Sequence, residues 1–431
     1  MKNKWNSIEE KKYIKKYKNN HIAQDLALRI YTTHLLGREK TLVLHGGGNT
    51  SLKTTSKNIF NKKIDVMHIK GSGWDMGSIE YPGLPAVELN PLKATLNLKK
   101  LNDFDMVNLQ RKCLLNSSSP NPSVETLLHA FLPHTYVDHT HASAILSLID
   151  QPNNIKICQD AFGDNVGIVP YVIPGFELAK IAYKVYTQNP KVIGLILLKH
   201  GIFTFGNSAK ESYDRMIKLV SIAEKKLQKI PNKIITRRAL KKNLTIEKKS
   251  NLFLPLIRKY LFHKEEDGSY TKWILNIRTN KNIIKYLNHP KLEKFTQRGP
   301  VTPDHVIRIK PKPLIIDLRK KTGKKIEITI KNNIQKFKSE YKKYFLRNKK
   351  YLPNSKELDP NPRLVFIPGF AIIGIGRTLK EASIASDLAE CTVDVISKAE
   401  SFGKFQSINE KEVFKVEYWS LEQDKLKGII R

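Results

Sequence analysis

Between Asn121 and Ala142 the chain reads NPSVETLLHAFLPHTYVDHTHA, placing one acidic side chain, Glu125, beside four histidines, His129, His134, His139 and His141. The whole sequence holds only 12 histidines, so this crowding stands above background. His139 and His141 form an H-x-H pair after the extended run Thr135 to Asp138. Period-two geometry turns both imidazoles to one side, with their Cα atoms about 7 Å apart. That arrangement chelates. A borderline-soft divalent cation such as zinc takes three or four N, S or O donors, and a catalytic site keeps one position open.

A third imidazole comes from VIGLILLKHGIFTFG, Val192 to Gly206. The apolar run Val192 to Leu198 has strand length and ends at Lys199-His200-Gly201, before a second short strand Ile202 to Phe205. His200 therefore sits where a buried strand surfaces. Glu125 follows a candidate N-cap, Ser123, in the first turn of a helix reaching about Leu132. A carboxylate there can bind metal or move a proton. His129 and His134 read as hydrogen-bonded core or supporting residues.

The elements that position these groups alternate between helix and strand. His21 to Leu36 has helical spacing, and Thr41 to His45 reads as a strand ending in Gly46-Gly47-Gly48-Asn49. Ile64 to Ile69 is a second strand, ending in Lys70-Gly71-Ser72-Gly73. Both turns can offer backbone N–H groups to a phosphate. Then come a helix from Ala142, a strand Gly167 to Tyr171, a helix near Pro174-Gly175, and an amphipathic helix from Ser208 to Lys226. The basic stretch Lys225 to Ser250 reads as an exposed connection.

This gives a catalytic domain over 1–228, a linker over 229–250 and a second α/β domain over 251–431. Leu364 to Leu388 repeats the plan of Ile193 to Ile217. Aligning Lys210-Glu211 with Lys380-Glu381 sets Phe370 opposite His200, so the second region reads as a degenerate repeat without a metal site. Gly369, Gly374 and Gly376 lack the G-x-G-x-x-G spacing of a dinucleotide site. Thr302-Pro303-Asp304-His305 reads as a surface turn.

A net charge of +35 raises nucleic-acid binding, yet the lysines are spread through almost every segment with no recognition motif beside them. Specific nucleic-acid recognition is set aside; attraction of anionic small molecules remains. Three scattered cysteines, a charged N-terminus and no membrane-length apolar run point to a cytoplasmic protein with reduced thiols.

The ordered motifs GGGNTS, IKGSG, PSVE, VDHTHA, PYVIPG and LLKHG, spread over Asp25 to Lys226, resemble the zinc-dependent class II aldolases of the fuculose- and rhamnulose-phosphate type. The head domain of adducin is a non-enzymatic relative. QRGPVTPDHVIR and EYWSLEQDKLKG look like the aldolase half of bifunctional proteins in which a short-chain dehydrogenase follows. Here the chain stops at Arg431, so a separate dehydrogenase becomes an expected partner. The resemblance implies an α/β/α sandwich with a mainly antiparallel sheet, assembled as a homotetramer. It implies Zn2+ or another divalent metal on His139, His141 and His200, with Glu125 as ligand or proton carrier. Gly48, Asn49, Ser72, Gly73 and Ser123 fall where such enzymes hold substrate phosphate. Tyr171 matches a tyrosine that reaches a neighbouring subunit's site and protonates the aldehyde oxygen. Val124 departs from the pattern, replacing a serine and removing a hydroxyl from the phosphate site. The implied reaction cleaves a ketose 1-phosphate to dihydroxyacetone phosphate and an aldehyde. The alternatives are an epimerase or dehydratase on the same fold, and an adducin-like interaction protein.

Overall fold

The computed structural model describes residues 1–20, 22–234, 245–264, 268–421 and 423. His21 of the expected first helix, 235–244 of the expected linker and most of the C-terminal segment from 422 onward lie outside the described residues.

Strands Asn49–Lys57 (β1) and Lys63–Ile69 (β2) pair antiparallel around the turn at Asn58–Lys62. The inner end of β1 is buried and its outer end alternates, as a strand leaving a core requires. Ala86–Glu88 (β3), Tyr136–Thr140 (β4), Val166–Val169 (β5), Gly194–Leu197 (β6) and Gly201–Gly206 (β7) complete a sheet of order β3-β2-β1-β4-β7-β6-β5. Every pairing is antiparallel except β5 with β6. That parallel pair needs a crossover, supplied by the helix Phe176–Gln188. The centre of the sheet is buried over its whole length, with β4, β6 and β7 carrying no exposed residue. Helices Gln24–Gly37 and Ala209–Gln228 pack against this sheet.

The strand expected at Thr41 to His45 is absent. Leu42 and Val43 instead send their N–H groups to the Glu39 carbonyl at 2.8 and 3.2 Å, coiling the segment as a turn. The triple glycine therefore leads into β1 rather than out of a strand. The other expected elements occur with shifted ends: Thr126–Phe131 for the helix after Ser123, and Ser143–Ile149 for the helix from Ala142.

The described residues form two compact units, the first built mainly of Met1–Ile149 and Asn153–Lys229, the second of Asp150–Pro152 and the described residues from Ile230 to Leu421. The helix Ile246–Leu261 starts inside the stretch read as linker. The second unit contains Ile274–Arg278 (β8), Leu314–Ile315 (β9), Leu364–Ile367 (β10) and Ala371–Gly376 (β11), ordered β8-β11-β10-β9. This repeats β4-β7-β6-β5, down to the parallel outer pair. Thr302 to His305 is not a surface turn. It forms a helical turn with Thr302 and His305 almost wholly buried, because the adjoining apolar residues Val306 and Ile309 draw it into the core.

No helix of the described residues is long and apolar enough to cross a membrane.

Candidate metal centre

Strand pairing fixes the first imidazole. On β4, His139 lies opposite Asn49 of β1 and Phe203 of β7, so its side chain emerges from the middle of the sheet, stacked on the Phe203 ring at 4.2 Å. Asp138 points to the other face, where it pairs with Arg29 and accepts from Ser212 Oγ. His141 stands one residue beyond β4, on the same side as His139. His200 is delivered by the tight turn between β6 and β7, in which Lys199 adopts a φ of +62°.

The three rings converge. Their nearest nitrogens all lie within 4.8 Å of one another, and His139 Nε2 is 3.0 Å from His141 Nε2. All three are buried. Gly201 makes this possible: a Cβ there would lie 3.0 Å from His141 Cδ2 and 3.1 Å from His139 Cε1. Glu125 faces the cluster, with Oε2 3.4 Å from His139 Nε2 and Oε1 3.7 Å from His200 Nε2.

A relay from β1 holds that carboxylate. Asn49 Nδ2 donates to Glu125 Oε2 at 2.7 Å and to Ser123 Oγ at 2.9 Å. The Asn49 carbonyl oxygen meets His129 Nε2, and His129 Nδ1 meets Ser51 Oγ at 2.7 Å. Burial holds the His129 ring well below the ordinary imidazole range, so it stays neutral and directs one proton to one neighbour. His134 takes no part; it stacks on Phe205 at 4.4 Å.

Residues 28–227 match the model of the class II aldolase and adducin N-terminal domain, and residues 248–426 that of the class II aldolase second domain. The chain belongs to the class II aldolase family. It is 32% identical over 403 residues to an uncharacterized oxidoreductase, YuxG, of Bacillus subtilis (strain 168), a match taking in 92% of this chain and 57% of that protein. The chain thus spans little more than half the length of that relative. The N-terminal class II aldolase domain of a conserved protein from Thermoplasma acidophilum is 39% identical, with a TM-score of 0.45 over 47% of this chain and 93% of its own. L-fuculose-1-phosphate aldolase from Thermus thermophilus is 18% identical, with a TM-score of 0.32 over 47% and 92%.

Class II aldolases depend on a divalent metal, and the donor set of this family member fits one. His139 Nδ1 lies 3.0 Å from the Ile202 carbonyl, which can only accept, so Nδ1 carries the proton. That leaves Nε2 as the ring nitrogen facing the Glu125 carboxylate, the atom through which the ring would bind a cation. The Nε2 to Nε2 spacing of 3.0 Å is also close to the ~3.3 Å edge of a tetrahedron built on ordinary zinc–nitrogen bonds. Glu125 Oε1, buried, takes no hydrogen bond among the described residues.

The structure brings the remaining candidates to this aldolase-family site unevenly. Gly48 has φ +61°, and a Cβ there would lie 2.6 Å from the His139 carbonyl, so this glycine is required by close approach of backbone to β4. Ser72 and Gly73 belong to a turn tied to the segment before Glu125: Ser72 N donates to the Asn121 carbonyl at 2.8 Å, and Ser123 N to that of Lys70 at 3.0 Å. Ser123 is buried with its oxygen already accepting from Asn49, whereas Gly73 is exposed. Tyr171 stands past the end of β5, the outermost strand on that side, and β6 separates β5 from β7.

Sequence reasoning missed two contributors. Lys70, buried, donates to the Gly46 carbonyl at 3.0 Å and to that of Trp74 at 2.8 Å, clamping the two glycine turns together. Its place inside IKGSG was the available signal. The second is the Arg29–Asp138 pair behind the sheet, which no local pattern announces.

Proposed function

We propose that this class II aldolase cleaves a ketose 1-phosphate of the rhamnulose- or fuculose-phosphate kind to dihydroxyacetone phosphate and an aldehyde. The observation that carries the reading is the convergence of three buried imidazoles within reach of one carboxylate. His139, His141 and His200 would hold the divalent cation, Zn2+ being one of those that imidazole donors suit. When bound, the cation supplies Lewis-acid stabilisation of the negative charge that develops on the substrate's carbonyl oxygen.

The protein's own groups do the rest. Burial of the three rings and of Glu125 excludes water from the reacting carbons. Asn49, itself oriented by His129, fixes Glu125 with one oxygen engaged and the other directed at the cluster. In the cleavage direction a base takes the C4 hydroxyl proton and passes it to Glu125, the C3–C4 bond breaks with its electron pair going to C3, and the C4 oxygen is left as the aldehyde carbonyl. Glu125 then delivers a proton to C3. Gly48, Asn49, Ser72, Gly73 and Ser123 are the candidates for the substrate phosphate, weakened by Val124 in place of a hydroxyl. Tyr171 of an adjacent subunit in a homotetramer would serve the aldehyde oxygen. The longer relative is named an oxidoreductase, which supports an aldehyde product passed on to a dehydrogenase in the cytoplasm.

Metal analysis of the purified protein beside His141→Ala tests the site. The wild type should retain a divalent cation and the variant should lose it while keeping its fold; equal metal content in both overturns the assignment. Glu125→Gln should keep the metal yet lower turnover by about 10²–10⁴-fold. Product analysis on ketose 1-phosphates separates bond cleavage from epimerisation or dehydration at the same centre.

A further inference from the structure

The second unit holds a cavity of about 370 Å³ that lies wholly within it and shares no residue with the metal centre. We propose that this cavity binds a small organic anion, a phosphate or carboxylate attached to a flat apolar body. Its volume falls in the range of small-molecule pockets.

The aromatic wall is preformed. Tyr341 and Tyr344 line the cavity, and Tyr341 is held from behind. Its hydroxyl donates to Glu417 at 2.7 Å and meets Tyr418 at 3.0 Å, while Lys310 Nζ sits 3.8 Å from its ring centroid. The Tyr341 ring, 4% exposed and held at its hydroxyl and by the ammonium against it, gives the cavity a fixed aromatic wall at little entropic cost. Phe337 and Ile408 extend that face. Other lining residues are equally fixed. Gln297 Nε2 donates to the Pro313 carbonyl at 2.9 Å, and Arg298 is bonded to Glu400 and to the Phe405 carbonyl. The segment beginning QRGP, left without a role by the catalytic reading, thus lines this cavity.

Charge decides the class of ligand. The lining contains four cations, Arg298, Lys312, Lys336 and Arg347, against three carboxylates, Glu293, Glu340 and Glu410, an excess of one positive charge. Arg298 and Arg347 are committed to Glu400 and Glu410. Glu340 is taken by Lys343 at 3.0 Å. Lys312 and Lys336 form no ion pair among the described residues and remain available to a ligand. Lys336 lies on the helix Lys324–Asn348, whose many lysines raise the local concentration of anions. Two exposed ammonium groups lining the same cavity as the tyrosines, against one lining carboxylate, Glu293, that forms no ion pair among the described residues, suit a terminal phosphate or carboxylate better than a neutral sugar.

Calorimetric titration of the full chain with phenyl phosphate, benzoate and inorganic phosphate tests the proposal. Phenyl phosphate should bind saturably, and at least about tenfold more tightly than inorganic phosphate, because the ring contributes. Binding should persist after chelation of metal and in His141→Ala, which separates this site from the catalytic one. Lys312→Glu with Lys336→Glu, both exposed and remote from the core, should weaken it by about tenfold or more without altering thermal unfolding. Comparable affinity for benzoate would widen the class to carboxylates; preference for phenyl phosphate would narrow it to phosphates. No saturable binding of either aryl probe, loss on chelation, inorganic phosphate binding as well as phenyl phosphate, or indifference to the double charge reversal overturns it.

Discussion

The hairpin β6–β7 of the first unit and the hairpin β10–β11 of the second are nearly the same object with different chemistry. In each, a four-residue strand pairs in the same register with a six-residue one, Gly194 opposite Thr204 and Leu364 opposite Gly374. The turns pass through a left-handed residue, Lys199 at +62° and Gly369 at +73°. The helices that follow carry the same capping box: Ser208 and Thr378 each accept from a glutamate N–H at 3.1 Å, and Glu211 and Glu381 reach back to the residue before the cap. Where the copies part is in the side chains that point at the cluster. His200 becomes Phe370, and on the facing strand Ile277 and Thr279 occupy the positions of His139 and His141. A backbone plan is therefore not a function; three imidazoles and a carboxylate are. The first copy also keeps a lysine where the second has glycine, holding a conformation that costs a non-glycine residue roughly 1 kcal/mol.

The largest expected effect lies behind the sheet. Asp138 is fully buried against Arg29, whereas its counterpart Asn276 is uncharged. Asp138→Asn leaves the guanidinium buried without its counter-ion and should cost about 3–5 kcal/mol of stability. A urea midpoint within error of wild type would mean the pair is dispensable. Next is Phe370→His, which copies the missing imidazole into the second hairpin. Phe370 is buried and packs edge-on to Phe253 at 5.4 Å, so the change should cost about 2–4 kcal/mol. It should recruit no second equivalent of metal, because Ile277 and Thr279 offer no nitrogen donor. A second equivalent in metal analysis would break the comparison.

Much of this contrast was readable in the chain, for physical reasons that also set the limit. The H-x-H pair and the strand-end histidine are local: period two and an apolar run ending in Lys-His-Gly place them without knowing the fold. The repeat is legible because a strand, a glycine turn and a Ser or Thr followed by Lys-Glu leave a pattern in sequence, whereas the antiparallel fold class follows only from the family resemblance. Arg29 and Asp138 left none, since a charge on an amphipathic helix looks solvated until a partner distant in sequence is folded onto it. Thr41 to His45 reads as a strand because the short apolar run Leu42-Val43-Leu44 says nothing about the Glu39 carbonyl competing for its N–H groups. Thr302 to His305 looked like a surface turn because polar composition conceals the burial that Val306 and Ile309 impose on it.

A smaller effect is expected from exchanging the residues that open the second strand of each hairpin, Gly201 and Ala371. In the first unit a methyl group crowds His141 and His139, as well as the Thr140 carbonyl at 2.5 Å. Gly201→Ala forces the β4 backbone as well as the two rings to shift, so it should lower the urea midpoint and weaken metal binding by about 10–100-fold, the scale seen when a support of a ligand is disturbed. Ala371→Gly should cost only about 0.5–1 kcal/mol through backbone freedom. Metal affinity unchanged in Gly201→Ala would show that the cluster has room to shift.

A pH-dependent effect separates the two units by how each treats an ammonium that folding desolvates. Lys310 has Glu417 at 3.7 Å, and burial brings it down to about 8. Lys53 on β1 donates to the His134 carbonyl at 2.9 Å; burial, with the charge of Lys93 added, pushes it down to about 7. Because the folded value lies below the ordinary one of ~10.4, the unfolded chain holds more protons across that interval. Folding is therefore penalised at neutral pH, and the penalty lifts as pH rises from about 7 toward the ordinary lysine value. Lys53→Met removes the penalty at every pH. Its advantage in urea midpoint over wild type should accordingly be greatest at or below neutrality and shrink steadily in alkaline buffer. A difference that stays flat across that range would mean the ammonium is solvated in the folded protein, and that the two lysines differ less than their surroundings suggest.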